Sequence, residues 1–249
     1  MRTVEVCLSP QLLPLYNLEN KLVVVVDILR ATSCMTTAIA HGVKEIIPVA
    51  SVEDCRDLQQ KGFLAAAERD GMKIEGFDLD NSPFSYMHQS LKGKTIAVTT
   101  TNGTQVIAQS KHASQLVVGS FLNEKALLDY ILNQSLDIVI ACAGWKGKSN
   151  LEDSLFAGSL VCSLKRYCVI DCDAACMVEQ MYQSVKDNKL SFLEKSSHVN
   201  RLKRLNIRKD IEFCLQPDLY DVIPILSKED KIINSTHQLA LKESSPLTK

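Results

Sequence analysis

Long apolar runs are missing from this chain of 249 residues, and so is the layout of a signal peptide. Its apolar runs, such as residues 22–26, fall far short of the roughly 20 residues that a membrane-spanning helix needs. The N-terminus lacks a charged segment followed by an apolar one. We therefore expect a soluble protein that does not enter a membrane and that stays in the cytoplasm.

A net charge is nearly absent as well, since 28 Lys and Arg residues face 29 Asp and Glu residues. A surface that binds a nucleic-acid backbone or an anionic membrane needs a positive excess, which this composition does not provide. We expect neither of these partners. Any partner should instead be recognised by a local site. Whether the protein forms a homo-oligomer stays open.

Cysteines at the spacing of a CxxC motif are missing too. The nine cysteines are an odd number, lie mostly within apolar stretches and include no CxxC pair. This pattern favours buried free thiols in a reducing cytosol over disulfides or a zinc site.

The sequence does contain a regular alternation of short β-branched runs and amphipathic stretches up to about residue 142. Such alternation is typical of βα units around a largely parallel sheet. The predicted strands are residues 3–7, 22–26, 45–49, 63–67, 95–99, 116–118 and 137–141. The predicted helices between them are residues 32–40, 51–61, 103–110 and 123–133.

After residue 142 the pattern is mostly helical, with helices predicted at 151–165, 171–185 and 196–205 and a late strand at 222–226. No linker rich in glycine or proline and no internal repeat interrupts the chain. We predict a three-layer α/β fold with a largely parallel sheet and a mostly helical C-terminal part. Residues 1–242 should form one compact unit, and the polar residues 243–249 a disordered tail.

Candidate site residues follow the predicted strands, because ligands of open α/β sheets bind beyond the carboxyl ends of the strands. Asp27 comes directly after residues 22–26, and Arg30 stands three residues further on. A carboxylate beside a guanidinium suits a metal ion next to an oxyanion. The alternative is that Asp27 caps a turn and pairs with Arg30.

A second candidate is the segment TTTNGT, residues 99–104, which follows a strand and leads into a helix. Backbone N–H groups of small residues at such a place commonly hold a phosphate. An N-capping turn would explain the same residues. The candidate anion-binding residues here are Thr100, Thr101, Asn102 and Gly103.

A third candidate is the polar loop of residues 75–83, together with Glu68 at the end of the strand before it. The loop contains Asp78, Asn81 and Ser82. Mg²⁺ prefers oxygen ligands of this kind and usually takes one or two carboxylates. A solvated surface loop would have the same composition.

The fourth candidate follows the strand 137–141 and contains Cys142 and Lys146, then Glu152 and Asp153. The two acids fall in the first turn of a predicted helix, where they would face either the helix dipole or a metal. Cys142 has no neighbouring His or second Cys to lower its pKa, which argues against a nucleophilic role.

These motifs, in this order, resemble the ComB family of 2-phosphosulfolactate phosphatases. The matching stretches are VDILRATS (26–33), GFDLDNSP (76–83), TTTNGT (99–104), CAG (142–144) and LED (151–153) with AG (157–158). Further matches are SH (197–198), RL (201–202), DIEFC (210–214) and VIP (222–224). The resemblance runs from about residue 4 to residue 226.

The resemblance implies a Mg²⁺-dependent acid phosphatase that converts 2-phospho-3-sulfolactate to 3-sulfolactate, a step of coenzyme M biosynthesis. We expect a small anionic phosphorylated substrate. The expected catalytic residues are Asp27, Arg30, Glu68 and Asp153, and the expected metal ligands are Asp27, Glu68, Asp78, Glu152 and Asp153. The expected substrate-binding residues are Arg30, Asn81, Ser82, Thr100, Thr101, Asn102, Gly103, Cys142 and Lys146.

Two other functions stay open. One is a Mg²⁺ phosphatase that acts on another small phosphorylated hydroxy acid, and the other is a non-catalytic module that binds an anion. Three residues depart from the family pattern, in which glycine is usual: Ala67, Asp80 and Val199. The additional carboxylate of Asp80 could change the preference for a metal or an anion.

Overall fold

The computed structural model describes residues 1–69, 71–205 and 207–236, in which strands and helices alternate. The strands are β1 Thr3–Cys7, β2 Lys21–Val26, β3 Glu45–Pro48, β4 Leu64–Arg69, β5 Met72–Lys73, β6 Thr95–Thr99, β7 Gln115–Gly119, β8 Asp137–Cys142, β9 Val169–Ile170, β10 Pro224–Leu226 and β11 Ile232–Asn234. The helices are α1 Ala31–Ala40, α2 Val52–Gln60, α3 Gly103–Gln109, α4 Glu124–Leu132, α5 Leu151–Leu164, α6 Asp173–Val185, α7 Lys189–Leu193, α8 Ser197–Arg204 and α9 Arg208–Cys214.

All these strands belong to one mixed sheet of 11 strands in the order β5-β4-β6-β3-β11-β10-β7-β2-β8-β1-β9. Two parallel groups, β4-β6-β3 and β7-β2-β8-β1-β9, make up most of it. The hairpin β10–β11 lies between them and is antiparallel to both neighbouring strands, β7 and β3. The two parallel groups therefore run in opposite directions.

Helices cover both faces of this sheet, and β2 shows why. Successive side chains of a strand point to opposite faces. Val24 and Val26 pack in a core with α4, α5 and α6, whereas Val23 and Val25 pack in a second core with α1 and α3. Burial on both faces explains why this strand is an uninterrupted run of valines. The predicted three-layer α/β fold with a largely parallel sheet is confirmed.

The sheet is strongly curled. Strands β2 and β4 are six positions apart, which at about 4.8 Å per strand would separate them by roughly 29 Å in a flat sheet. Yet Asp27, directly after β2, and Glu68 of β4 line the same cleft. The right-handed twist of neighbouring strands accumulates over such a distance. The curl brings the carboxyl ends of both parallel groups to one cleft.

The predicted elements lie within two residues of their observed bounds. The strands β5, β9 and β11 and the helices α7 and α9 were not predicted, because each is short and has no clear periodicity. The predicted tail, residues 243–249, lies outside the described residues. All nine cysteines are free, and within the described part of the chain no helix is long and apolar enough to cross a membrane.

Candidate active site

A cleft at the carboxyl ends of β2, β4, β6 and β8 brings together residues that are far apart in the chain. Eight of the predicted site residues line it: Asp27, Arg30, Glu68, Asn81, Thr100, Thr101, Asn102 and Lys146. The remaining lining residues are Leu29, Gly71, Trp145, His198, Arg201 and Leu202. The polar segments that follow four different strands therefore meet in one place.

Asp27 lies on the floor of the cleft, directly after β2. Only 7% of its surface is exposed, and burial raises the pKa of its carboxyl to about 6, with His198 opposing and Glu68 adding to the shift. A side chain cannot replace the hydrogen of Gly103, because its Cβ would lie 2.8 Å from Oδ2 of Asp27. Glycine at this position thus lets the start of α3 approach the carboxylate.

Glu68, in β4, supplies the second carboxylate of the cleft and is also 7% exposed. One of its oxygens, Oε1, accepts a hydrogen bond from the backbone N–H of Gly71. The negative charge of Glu68 contributes to the raised pKa of Asp27, so the two acids lie close enough for repulsion to act on Asp27. A cation between them would relieve that repulsion.

Arg30 lines the cleft, but its charge is already paired. Its Nη1 donates to Asp210 of α9, with both side chains buried, and its Nη2 donates to the carbonyl of Gly71 at 3.1 Å. The alternative pairing of Arg30 with Asp27 is not what the structure contains. These bonds fix the plane of the guanidinium and leave its other N–H groups for a ligand.

The segment after β6 has the geometry of an anion-binding loop. Thr100 and Thr104 hold it closed, since each backbone N–H donates to the other hydroxyl, at 3.3 and 3.2 Å. The backbone N–H groups of Thr101, Asn102 and Gly103 donate to no acceptor among the described residues. Convergent N–H groups of this kind suit phosphate oxygens.

His198 lines the cleft from α8, although no site role was predicted for it. Its Nδ1 hydrogen-bonds to Oε1 of Glu152, a fully buried residue in the first turn of α5. The other oxygen of Glu152 accepts from Ser196 at 3.1 Å. Glu152, predicted as a metal ligand, therefore orients a histidine instead of lining the cleft.

Asp153 does not line the cleft either, because its carboxylate joins three segments. It accepts hydrogen bonds from the backbone N–H of Ile28 at 2.8 Å, the backbone N–H of Gly144 at 3.0 Å and Nδ2 of Asn150 at 2.9 Å. Burial raises the pKa of Asp153 well above its usual range, and Asp27 adds to the shift. The residue links the ends of β2 and β8 to the start of α5.

Other residues that the sequence singled out do not line the cleft. The exposed Asp78 accepts from the backbone N–H of Ala65 near the amino end of β4, at 2.9 Å. Asp80 binds the N–H of Ser82 and the hydroxyl of Ser85 at 3.0 and 2.6 Å, so this loop closes on itself. Cys142 is 1% exposed in the core, and burial raises the pKa of its thiol.

A magnesium ion fits this cleft only with few protein ligands. Among the described residues no group of three His, Cys, Asp or Glu side chains is arranged to hold a metal. Asp27 and Glu68 are the two carboxylates that line the cleft. Mg²⁺ usually takes one or two carboxylates and completes its octahedron with water and substrate phosphate, which is compatible with this pair.

Comparison with known proteins identifies the family. The family model described as 2-phosphosulpholactate phosphatase matches residues 7–229. A protein of Caldanaerobacter subterraneus is 40% identical over 215 residues, covering 84% of this chain and 89% of its own length. One of Thermotoga petrophila is 40% identical over 213 residues, covering 86% and 92%. Both are named "Probable 2-phosphosulfolactate phosphatase". The resemblance seen in the motifs is confirmed, and the chain belongs to the 2-phosphosulfolactate phosphatase family.

Proposed function

We propose that this protein is a Mg²⁺-dependent phosphatase that hydrolyses 2-phospho-3-sulfolactate to 3-sulfolactate and phosphate, the type of step that coenzyme M biosynthesis uses. The names of its relatives support the substrate. The observation that carries the proposal is the cleft itself. It combines two buried carboxylates, Asp27 and Glu68, with unbonded backbone N–H groups and an oriented Arg30.

Each part of the cleft has a task in phosphoryl transfer. The N–H groups of Thr101, Asn102 and Gly103 and the guanidinium of Arg30 bind the phosphoryl oxygens and stabilise their charge in the transition state. Asp27 and Glu68 would hold Mg²⁺, which supplies charge neutralisation and a water of lowered pKa. Because Asp210 fixes the guanidinium plane, Arg30 needs little reorganisation when substrate binds.

Hydrolysis forms a bond from a water oxygen to phosphorus and breaks the bond from phosphorus to the lactate oxygen, so the water gives up a proton and the leaving alkoxide takes one up. His198 lines the cleft, and its Nδ1 is held by Glu152. Nε2 is the ring nitrogen that Glu152 does not engage, and we assign it the delivery of that proton. Glu152 acts as the positioning residue for the ring.

The test is phosphate release from 2-phospho-3-sulfolactate with Mg²⁺ and with EDTA, in the wild type and in Asp27→Asn. We expect EDTA to abolish release, and Asp27→Asn to lower kcat by at least about a hundredfold while the fold is retained. The matched control is Asp78→Asn, an exposed acid away from the cleft, which should keep wild-type turnover. Wild-type turnover in Asp27→Asn would remove Asp27 from the mechanism, and phosphate binding without release would indicate an anion-binding module.

A further inference from the structure

The loop after β8 presents the ring of Trp145 and the amine of Lys146 to the cleft in a fixed geometry. Trp145 and Lys148 exchange both backbone hydrogen bonds, at 2.8 and 3.1 Å, which closes a two-residue turn. The turn residues Lys146 and Gly147 have φ of 50° and 76°, the left-handed values that a type I′ turn needs. At Gly144 a Cβ would lie 2.2 Å from the carbonyl of Lys148, so the turn folds tightly onto the strand exit.

Three side chains gather on the ring of Trp145. The imidazole of His198 stacks on it, with centroids 5.3 Å apart and planes 21° apart. Nζ of Lys146 lies 5.3 Å and Cζ of Arg201 lies 5.7 Å from the ring centroid, within the range of cation–π attraction. His198 and Arg201 are three residues apart on α8 and therefore share one face of that helix.

Charged side chains of both signs line the cleft. Asp27 follows β2 and Glu68 lies in β4, whereas Lys146 lies in the turn after β8 and Arg201 in α8. The charge of Arg30 is offset by Asp210. Lys146 forms no ion pair with a described residue. A ligand in this cleft thus meets two carboxylates and, on the ring of Trp145, two cations.

We propose that Trp145, Lys146 and Arg201 form a subsite for an acidic group of the substrate other than its phosphate, a carboxylate or a sulfonate. This inference rests on the proposed phosphatase function and names the substrate class that the site selects. Arg201 offers the planar fork of donors that matches such oxyanions, and Lys146 adds a point charge. The Trp145 ring holds both cations in place before the ligand arrives, which reduces the ordering cost of binding.

The test compares two charge-removing variants, Lys146→Asn and Arg201→Gln, on esters that differ in acidic groups. Asparagine tolerates the left-handed backbone at residue 146, so the turn is kept. Lys148→Gln is the matched control, since Lys148 is exposed in the same turn but does not line the cleft. The substrates are 2-phospho-3-sulfolactate, 2-phospholactate and glycerol 2-phosphate, which carry two, one and no acidic groups beyond the phosphate.

We expect each variant to lower kcat/KM about 10- to 100-fold on 2-phospho-3-sulfolactate, less on 2-phospholactate, and no more than about twofold on glycerol 2-phosphate. Lys148→Gln should behave as the wild type on all three. An equal loss on every ester would mean that the two cations act on the phosphate, and no loss on any ester would place the acid-binding subsite elsewhere. Either result overturns the proposal.

Binding of 3-sulfolactate, which needs no turnover, separates this proposal from the proposed phosphatase function. Trp145 is the sole tryptophan, so its fluorescence reports directly on the subsite. We expect 3-sulfolactate to change that fluorescence in the wild type and to bind at least about tenfold more weakly to Lys146→Asn and Arg201→Gln. Tight binding without hydrolysis of any ester would refute the phosphatase alone, and unchanged affinity in folded variants would refute the subsite alone.

Discussion

Asp153 and Asp210 do not line the cleft but position the residues that do. Asp153 ties the backbone after β2 and after β8 to the first turn of α5, and Asp210 holds the guanidinium of Arg30. Removing Asp210 would leave the buried charge of Arg30 unpaired, and removing Asp153 would leave buried N–H groups without acceptors, so both changes are destabilising. Loss of activity after substitution of either acid would therefore reflect stability as well as chemistry.

Cys142 offers a sharp test at the residue scale, because it ends β8 close to the cleft without lining it. Burial and the neighbouring Asp153 raise the pKa of its thiol, so the nucleophilic thiolate is disfavoured. We expect Cys142→Ala to retain at least about a tenth of kcat, a change in barrier no larger than roughly 1.4 kcal/mol. A folded but inactive Cys142→Ala, with a phosphocysteine trapped by acid quench of the wild type, would contradict direct hydrolysis.

At the scale of elements, the partly buried acid Glu124 of α4 accepts a hydrogen bond from α5. The hydroxyl of Ser159 donates to Glu124 at 2.6 Å, and burial raises the pKa of Glu124 to about 7 against the effect of that bond. The folded state therefore binds this proton more tightly than the unfolded chain, whose pKa lies near 4.5. The stabilisation is complete below pH 4.5 and is lost as the pH rises to 7.

Urea unfolding between pH 4.5 and 7.5 measures this effect. We expect the free energy of unfolding of Glu124→Gln to exceed that of the wild type progressively as the pH rises, by about 2–3 kcal/mol at pH 7.5. Asp129→Asn, an exposed acid on the same helix, is the control and should follow the wild type. A constant difference between Glu124→Gln and the wild type across this pH range would show that Glu124 does not titrate in this way.

Local patterns in the sequence were sufficient for the elements that are long or strongly periodic. The valine run of β2 and the alternation up to β8 predicted the sheet, and the strand ends predicted where the cleft lies. The partners within the cleft could not be predicted, because they are distant in sequence. Arg30 meets Asp210 across 180 positions and Glu152 meets His198 across 46 positions. Which acids face the cleft and which support it depends on these contacts.

At the scale of the whole molecule, the hairpin β10–β11 joins the two parallel groups of strands into a single sheet. Ile232 pairs with Ile46 of β3 and is fully buried, and Ile225 pairs with Val117 of β7. We expect Ile232→Ala to lower the free energy of unfolding by about 2–4 kcal/mol. The control, Val169→Ala, lies in the edge strand β9 with 43% of its surface exposed and should lower it by less than about 1 kcal/mol.

Unfolding of the wild type should follow one transition by fluorescence and by circular dichroism, since the hairpin joins both parallel groups of strands. Trp145 reports on the group that contains β8, whereas circular dichroism reports on the whole sheet. Two separate transitions in the wild type would show that the groups unfold independently of the hairpin.

The position of that hairpin also decides when the nascent chain can complete its fold. The strands that flank it, β3 and β7, end at residues 48 and 119, whereas β11 is made only when residue 234 has been added. Until then, β3 and β7 each carry an open edge whose backbone groups are a template for pairing with another chain. If synthesis ends before residue 232, the released polypeptide therefore has two unpaired strand edges, on β3 and on β7. Such truncated products should aggregate rather than accumulate as folded fragments.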